Sequence, residues 1–220
     1  METRLCNDNG YSNRMQTMAR PRQQEARRRS LLDAAQLAAA RHGVARLRLK
    51  DVADAAGISP AAVLYYYEGV EALLTELYRM NIARFCERRR EAISAHQAPR
   101  EQLVASIRHG VPAGPDDAEA SVLWQLDAFA GSDPLYDVLC TQQFEEQVSV
   151  YERILAVGQD RGDFALMSAP RAVGQALVAL EDALGRQVIG GNPQLSRADA
   201  LRIIGSFASL AAGCEIHAED

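Results

Sequence analysis

Apolar residues recur along the chain at intervals of three and four, which is the spacing of one buried face on an α-helix. Leu73, Leu77 and Tyr78, for example, repeat in this way after Gly69. Alternation of apolar and polar residues nowhere lasts beyond a few positions. The pattern therefore predicts an all-α protein. Its helices are expected at about 22–41, 49–56, 60–67, 70–94, 99–109, 117–131, 134–160, 169–190 and 196–212.

Residues 48–74 have the pattern of a helix-turn-helix. Gly57 ends the first short helix at a position where a residue without a Cβ turns left-handed at little cost. Ser59 can cap the second helix, and Pro60 suits its first turn because the missing N–H is not needed there. An ordinary helical hairpin is the alternative interpretation, and the coincidence of cap and turn signals favours the DNA-binding motif.

The same region resembles the DNA-binding domain of the TetR family of bacterial transcriptional regulators. The residues that carry the resemblance are Leu31-Leu32-Asp33-Ala34-Ala35, Gly43, Asp51-Val52-Ala53, Ala56-Gly57-Ile58-Ser59, Tyr65-Tyr66-Tyr67 and Leu73-Leu74. The resemblance implies an N-terminal three-helix helix-turn-helix domain followed by a C-terminal helical bundle for ligand binding and dimerisation.

Five positions depart from the family pattern. Ala39 stands where the family usually has Phe, and Leu64 where it usually has Tyr. Ala62 and Arg48 replace common threonines, and Val70 replaces a Lys that typically contacts phosphate. Several of the family's usual backbone contacts are therefore missing or moved.

The resemblance implies that a homodimer places two recognition helices in successive major grooves of an operator. Ala61, Ala62 and Tyr65 are expected at base edges, and Tyr66 with the basic residues at phosphates, whereas Tyr67 packs inward. The expected DNA-binding set is Arg48, Lys50, Ser59, Pro60, Ala61, Ala62, Tyr65 and Tyr66.

Charge is distributed unevenly. The first fifty residues contain eleven Lys and Arg against four Asp and Glu, although the whole chain has a net charge of −5. A basic head on an acidic body is typical of a protein that binds DNA at one end. We expect a flexible N-terminal arm over residues 1–21, a helix-turn-helix domain over 22–69 and an effector-binding and dimerisation domain over 70–220. Arg20 and Arg22 are candidate minor-groove contacts, and Met15 and Met18 are alternative candidate starts.

The cysteines and histidines suggest neither catalysis nor a cofactor. Cys6, Cys86, Cys140 and Cys214 are far apart and form no C-x-x-C pair, so no metal site is expected. The four histidines belong to no nucleophile–base motif, and phosphate-binding glycine loops are absent from the sequence. No run resembles a signal peptide or a membrane span. A cytoplasmic protein that is not an enzyme and has no membrane partner is therefore expected.

The C-terminal half is similar, over roughly 118–212, to choline-type (BetI-like) regulators, in which an Asp-Gly-Leu commonly lies where this chain has Asp182-Ala183-Leu184. A pocket between helices is expected, with carboxylates beside aromatic rings that suit a cationic effector. The candidate lining residues are Phe85, Trp124, Asp127, Phe144 and Asp182. The alternative is that the acids cap helices or pair with arginines and that the aromatics are ordinary core.

The last two helices carry apolar stripes that suit either the internal core or a four-helix dimer interface. We favour the interface, because a helix-turn-helix that reads half a palindrome needs a two-fold partner. The stripes are Val173, Ala176, Leu177, Leu180, Leu184 and Val188, then Leu201, Ile204, Phe207, Ala208 and Ala211. The sequence thus predicts a ligand-responsive regulator, by family habit a repressor released by a small molecule. An architectural DNA-binding protein without an effector is the alternative.

Overall fold

The computed structural model describes residues 9–129, 131 and 133–219, and the side chains from residue 23 onwards. This part of the chain contains nine α-helices, one short 3-10 turn (Val44–Arg46) and no β-strand. The helices are α1 (Asn9–His42), α2 (Leu49–Ala56), α3 (Pro60–Leu64), α4 (Val70–Ser94), α5 (Pro99–Gly110), α6 (Ala118–Asp127), α7 (Pro134–Arg161), α8 (Pro170–Ile189) and α9 (Arg197–Ala212). The all-α prediction and the order of the helices are confirmed.

Three helices differ in length from the prediction. Helix α1 begins at Asn9, so the part of the expected flexible arm from residue 9 onwards is helical. The first eight residues lie outside the described part of the chain. Helix α3 ends at Leu64, because the N–H of Tyr66 donates to the carbonyl of Val63 and tightens the last turn. Helix α6 ends at Asp127, shortly before Gly131 turns left-handed with a φ of 83°.

The turn between α2 and α3 has the chemistry that the sequence predicts. Gly57 lies in the left-handed region, with φ 64° and ψ 35°. The Oγ of Ser59 accepts a hydrogen bond from the N–H of Ala62 at 3.3 Å, and Pro60 is the first residue of α3. Val52 and Val63 are buried in one hydrophobic cluster, in which α3 packs on α2 and α2 packs on α1. The local signals are sufficient to orient these two short helices.

Two hydrophobic cores form, and the first extends beyond the helix-turn-helix. It combines α1, α2, α3 and the first half of α4 with α6 and the start of α7. Val122, Leu123 and Leu126 of α6 belong to this core. The helix-turn-helix end of the chain is therefore packed directly on a helix that the sequence places in the C-terminal region.

The second core lies between α5, α7, α8 and α9, and it uses most of the two stripes that we assigned to the dimer interface. Val173, Leu177, Val188, Leu201, Ile204 and Ala208 are buried within the chain itself. For these residues the alternative interpretation, internal core, is correct. Leu180, Leu184 and Phe207 are partly buried at the edge of this core. Helical periodicity gives a buried face but does not say what covers it.

A buried ion pair links α4 to α5, α7 and α8. Arg89 of α4 is 1% exposed, and its Nη2 donates to both carboxylate oxygens of Glu181 of α8 at 2.9 and 3.0 Å. Its Nε donates to Ser106 of α5 at 2.9 Å, and its Nη1 donates to Gln147 of α7 at 3.0 Å. The hydroxyl of Tyr151 donates to the same carboxylate. One guanidinium thus joins four helices through hydrogen bonds that compensate its desolvation.

Gly110, the last residue of α5, packs against this pair. A Cβ added at Gly110 would lie 2.1 Å from the Glu181 carboxyl group, whereas one added at Gly114 would meet nothing within 4 Å. Neither glycine has a positive φ, so backbone strain does not distinguish the two positions.

We predict that Gly110→Ala lowers the free energy of unfolding by about 3 kcal/mol, because the new methyl group displaces Glu181 from buried Arg89. Helix propensity alone would change stability by up to ~1 kcal/mol in the opposite direction. Denaturant unfolding of both variants measures the effect, with Gly114→Ala as the control that remains near wild type. Equal stability of the two variants would contradict the proposed packing.

Candidate DNA-reading surface and ligand cavity

The residues expected to contact DNA lie on one outward surface of the helix-turn-helix. Pro60 and Ala61 are exposed and Ala62 is partly buried along α3. Tyr65 is 73% exposed, the largest fraction among the aromatic side chains of this turn, and Tyr66 packs edge-on against it at 5.0 Å between ring centroids. Ala61 and Ala62 are small and precede the projecting ring of Tyr65, so the N-terminal end of α3 is narrow.

The basic residues of the set stand beside this surface. Arg48 and Lys50 are exposed at the start of α2, where the N–H of Arg48 donates to the carboxylate of Asp51 at 2.9 Å. Ser59 is also exposed, and its oxygen is used by the α3 cap. The side chains of Arg20 and Arg22 lie outside those that the structure describes.

Tyr67 points inward, as predicted, and connects three helices. It is 2% exposed, and its hydroxyl donates to the carbonyl of Arg28 of α1 at 3.4 Å. The Arg28 guanidinium lies 4.7 Å from the Tyr67 ring centroid, donates to the carbonyl of Tyr66 at 3.0 Å and pairs with Glu76 of α4 at 2.5 Å. Desolvation raises the pKa of the Tyr67 hydroxyl, so it stays protonated. The segment that follows α3 is thereby tied to α1 and to the first half of α4.

A cavity of about 510 Å³ opens where the two cores meet. The cavity is lined from α4 by Asn81, Phe85 and Arg88, and from α6 by Glu119, Ala120, Leu123 and Trp124. Gln143 and Gln147 of α7 and Asp182 of α8 line it, and the end of α5 with the loop that follows contributes residues 109–113 and Asp117. Its volume suits a small organic ligand.

Three of the five candidate pocket residues line this cavity, namely Phe85, Trp124 and Asp182. Asp127 does not line it, because its carboxylate turns towards Tyr78 and accepts that hydroxyl's hydrogen bond at 2.5 Å. Phe144 packs against the second core instead. For these two residues the alternative interpretation, a structural role, agrees with the structure.

Two glutamines of the cavity were missed by the sequence reasoning. Gln143 is 8% exposed, and its side-chain oxygen has no hydrogen-bond partner within the described part of the chain. Gln147, four residues further along α7, is 6% exposed and accepts from Arg89. Two glutamines four residues apart among apolar positions of one helix are the sequence signal that could have identified them.

Asp182 lies at the mouth of the cavity, on the outer side of α8. It makes no hydrogen bond or ion pair with any residue that the structure describes. Desolvation by the protein around it, with the nearby Asp127 carboxylate, raises the pKa of Asp182 to about 6. His109 has the opposite shift, because burial and the charge of Arg89 lower the pKa of its ring. At neutral pH this wall therefore combines an ionised carboxylate with a neutral imidazole.

The cysteines do not form a site. Cys86, Cys140 and Cys214 are free thiols, and Cys6 lies outside the described residues. Burial raises the pKa of the Cys86 thiol to about 12, which keeps it in the unreactive thiol form. Across residues 9–129, 131 and 133–219, no three His, Cys, Asp or Glu side chains come together as a metal site. In that same part of the chain no helix has the length and apolar character that crossing a membrane requires.

Comparison with known proteins supports the sequence resemblance. Residues 31–77 match the family described as bacterial regulatory proteins, tetR family. The TetR resemblance of the helix-turn-helix is thereby confirmed. No match is found among curated protein sequences.

Solved structures of regulators share the fold over most of the chain. A putative transcriptional regulator from Saccharomonospora viridis, in complex with choline, is 25% identical with a TM-score of 0.77, over 84% of this chain and 96% of that one. A TetR regulator from Haloarcula marismortui is 18% identical with a TM-score of 0.75, over 86% and 98%. FadR from Bacillus subtilis, in complex with stearoyl-CoA, is 20% identical with a TM-score of 0.65, over 84% and 98%.

The raised pKa of Asp182 predicts how its ionisation affects stability. A folded-state pKa above the ordinary value of 3.8 means that the ionised carboxylate costs stability, increasingly as the pH rises from about 4 to 6. We predict that Asp182→Asn is at least as stable as the wild type at pH 7.5 and that any advantage shrinks as the pH falls towards 4.

Chemical denaturation across this pH range tests the prediction, with Asp160→Asn, an exposed residue of α7, as the matched control. A loss of more than ~1 kcal/mol in Asp182→Asn at pH 7.5 would show instead that the carboxylate stabilises the fold.

Proposed function

We propose that this chain, whose residues 31–77 are a TetR-family DNA-binding domain, is a dimeric transcriptional regulator that binds a palindromic operator and is released from it by a small molecule. TetR-family regulators are generally not enzymes, and we propose no reaction for this protein. By the family's habit it acts as a repressor, in the cytoplasm where its DNA lies. The observation that carries the proposal is the position of the cavity. Helices α4 and α6 line it and also pack in the first core with the helix-turn-helix.

Helix α6 supports the proposal most directly, because it contacts both parts. Trp124 and Leu123 line the cavity, and Leu123 also belongs to the first core. Neighbouring Gln125 accepts a hydrogen bond from the N–H of Val44 at 2.9 Å, in the turn between α1 and α2. At the other end of α6, the carbonyl of Ala118 accepts from Gln36 of α1 at 3.2 Å. A ligand that moves α6 must therefore alter the contacts that α6 makes with the helix-turn-helix domain.

Helix α4 provides a second connection. Asn81 and Phe85 line the cavity, while Leu73 and Leu77 are buried in the first core, where α4 packs on α1. The N–H groups of the Asn81 amide donate to the Gln36 side chain of α1 at 3.0 Å and to Leu77 of α4 itself. We infer that a ligand favours positions of α4 and α6 that differ from those in the unliganded protein. This shift changes the distance between the two helix-turn-helix domains of a dimer.

We propose that the dimer forms through the outer faces of α8 and α9, with a narrower set of residues than the stripes suggested. Ile203 and Leu210 of α9 are 42% and 77% exposed, and half-buried Phe207 lies between them on the same face. Met167, 68% exposed, is placed beside Leu210 by a hydrogen bond from its N–H to the carbonyl of Ala211. An exposed apolar patch of this kind is typical of an interface.

Phosphate contacts are tested by the salt dependence of DNA affinity. We predict that Arg48→Ala weakens binding to specific and random duplexes alike and lowers the slope of log K against log salt concentration by about one. Tyr66→Phe should also weaken binding on every sequence but leave the slope unchanged, because no charge is lost.

Fluorescence anisotropy between 50 and 200 mM salt measures both effects, and Arg153→Ala, an exposed arginine of α7, is the control. A wild-type slope in Arg48→Ala would remove this residue from the interface.

Coupling through α6 can be tested without an effector, because linkage is reciprocal. Trp124 is the only tryptophan of the chain, so its emission reports on the cavity. We predict that an operator fragment, selected by the protein from random DNA, changes Trp124 emission in the wild type. Gln125→Leu should reduce this change, since it removes the bond to Val44, whereas Gln142→Leu on the exposed side of α7 should not.

Unaltered emission on binding of the wild type to its operator would contradict the coupling.

A further inference from the structure

Most charged side chains of the cavity wall already form hydrogen bonds or ion pairs within the protein. Asp117 accepts from the N–H groups of Ala113 and Ala120, and Glu119 pairs with Arg88. Arg108 donates to the carbonyl of Ala218 and Arg197 to that of Arg108, at 3.1 Å each. The side-chain oxygen of Gln147 accepts from Arg89. These groups serve the fold.

Gln143 of α7 and Asp182 of α8 line the same cavity from adjacent helices, and each carries an acceptor oxygen that the fold does not use. The oxygen of Gln143 on α7 is buried without a partner in the described part of the chain, and the carboxylate of Asp182 on α8 has neither a hydrogen bond nor an ion pair there. Leaving a buried carbonyl oxygen unpaired costs about 1–3 kcal/mol. A bound group that donates hydrogen bonds would recover that cost.

Two aromatic rings, Trp124 and Phe85, line the same cavity. The ring of Trp124 packs on Gly185, one turn along α8 from Asp182, where an added Cβ would lie 2.9 Å from the ring. Phe85 lines the same cavity and packs against His109 at 5.3 Å between ring centroids. Ring faces near a carboxylate favour an organic cation over a neutral or anionic ligand.

We infer that the effector is an organic ammonium ion with N–H donors, a primary or secondary amine, and that Gln143 selects it over quaternary ammonium ions. This inference rests on the proposed function. The charge pairs with Asp182 and the aromatic rings, and one N–H group donates to Gln143. A quaternary ion such as choline, the ligand in the neighbour from Saccharomonospora viridis, has no N–H and would leave the Gln143 oxygen unpaired.

The test uses three matched triplets of probes built on propyl, hexyl and 2-phenylethyl skeletons. Each triplet consists of the primary amine, its N,N,N-trimethylammonium counterpart and the corresponding alcohol. Binding to the full-length protein is followed by Trp124 emission, and release of operator DNA is measured on the same preparation. We expect the amine of the fitting skeleton to bind at least about tenfold more tightly than its trimethylated counterpart, with the alcohol weaker still.

Two substitutions distinguish the role of Gln143 from general damage to the cavity. Gln143→Leu should lower amine affinity about tenfold and change trimethylammonium affinity less than about threefold, which removes the selectivity. Gln142→Leu makes the same change on the exposed side of α7 and should leave every affinity unaltered. Thermal unfolding checks that both variants fold.

Trimethylammonium ions or alcohols that bind as tightly as the amines would overturn the inference and leave a ligand-responsive regulator intact. Selectivity that survives in Gln143→Leu would overturn the role of Gln143. No response to any probe, with operator binding retained, would overturn the inference alone. Absence of specific operator binding by the unliganded protein would instead overturn the proposed function.

Discussion

The buried pair of Arg89 and Glu181 is the constraint on which the arrangement of the C-terminal helices depends. Neither side chain reaches water, so each charge can be kept only if the other is held in place. Ser106 and Gln147 also accept hydrogen bonds from the guanidinium, and Tyr151 donates to the carboxylate. Helices α4, α5, α7 and α8 therefore have one mutual placement that satisfies this cluster.

That constraint acts on α4 in particular, which belongs to the first core and also provides Arg89 to the ion pair. Its first half contributes Leu73 and Leu77 to the first core, and its second half carries Arg89. The cavity lies between these two regions, with Asn81 and Phe85 in its wall. Because the far end is fixed by the ion pair, a ligand would displace α4 chiefly at its DNA-proximal half. Helix α6, which contacts Val44 and Gln36, would move with it.

Sequence reasoning succeeded where the chemistry is local. Gly57, Ser59 and Pro60 determine the turn through their own backbone and cap preferences, and the structure confirms it. Sequence reasoning was less successful where the role of a side chain depends on which neighbouring helix it contacts. Asp127 and Asp182 are both acids on apolar helices, yet only Asp182 faces the cavity, because Tyr78 engages Asp127. Periodicity likewise could not distinguish core from interface for Val173 and the rest of the stripes. The unpaired oxygen of Gln143 is visible only in three dimensions.

The most direct test is a footprint of the purified protein on the DNA upstream of its own gene, at physiological salt and with excess nonspecific competitor. A dimer that reads DNA through α3 should protect a palindrome, with two half-sites about 34–36 Å apart or at a multiple of that spacing along the helix axis. Protection that is absent or uniform, together with weak and strongly salt-sensitive binding, would contradict the account of a sequence-specific regulator.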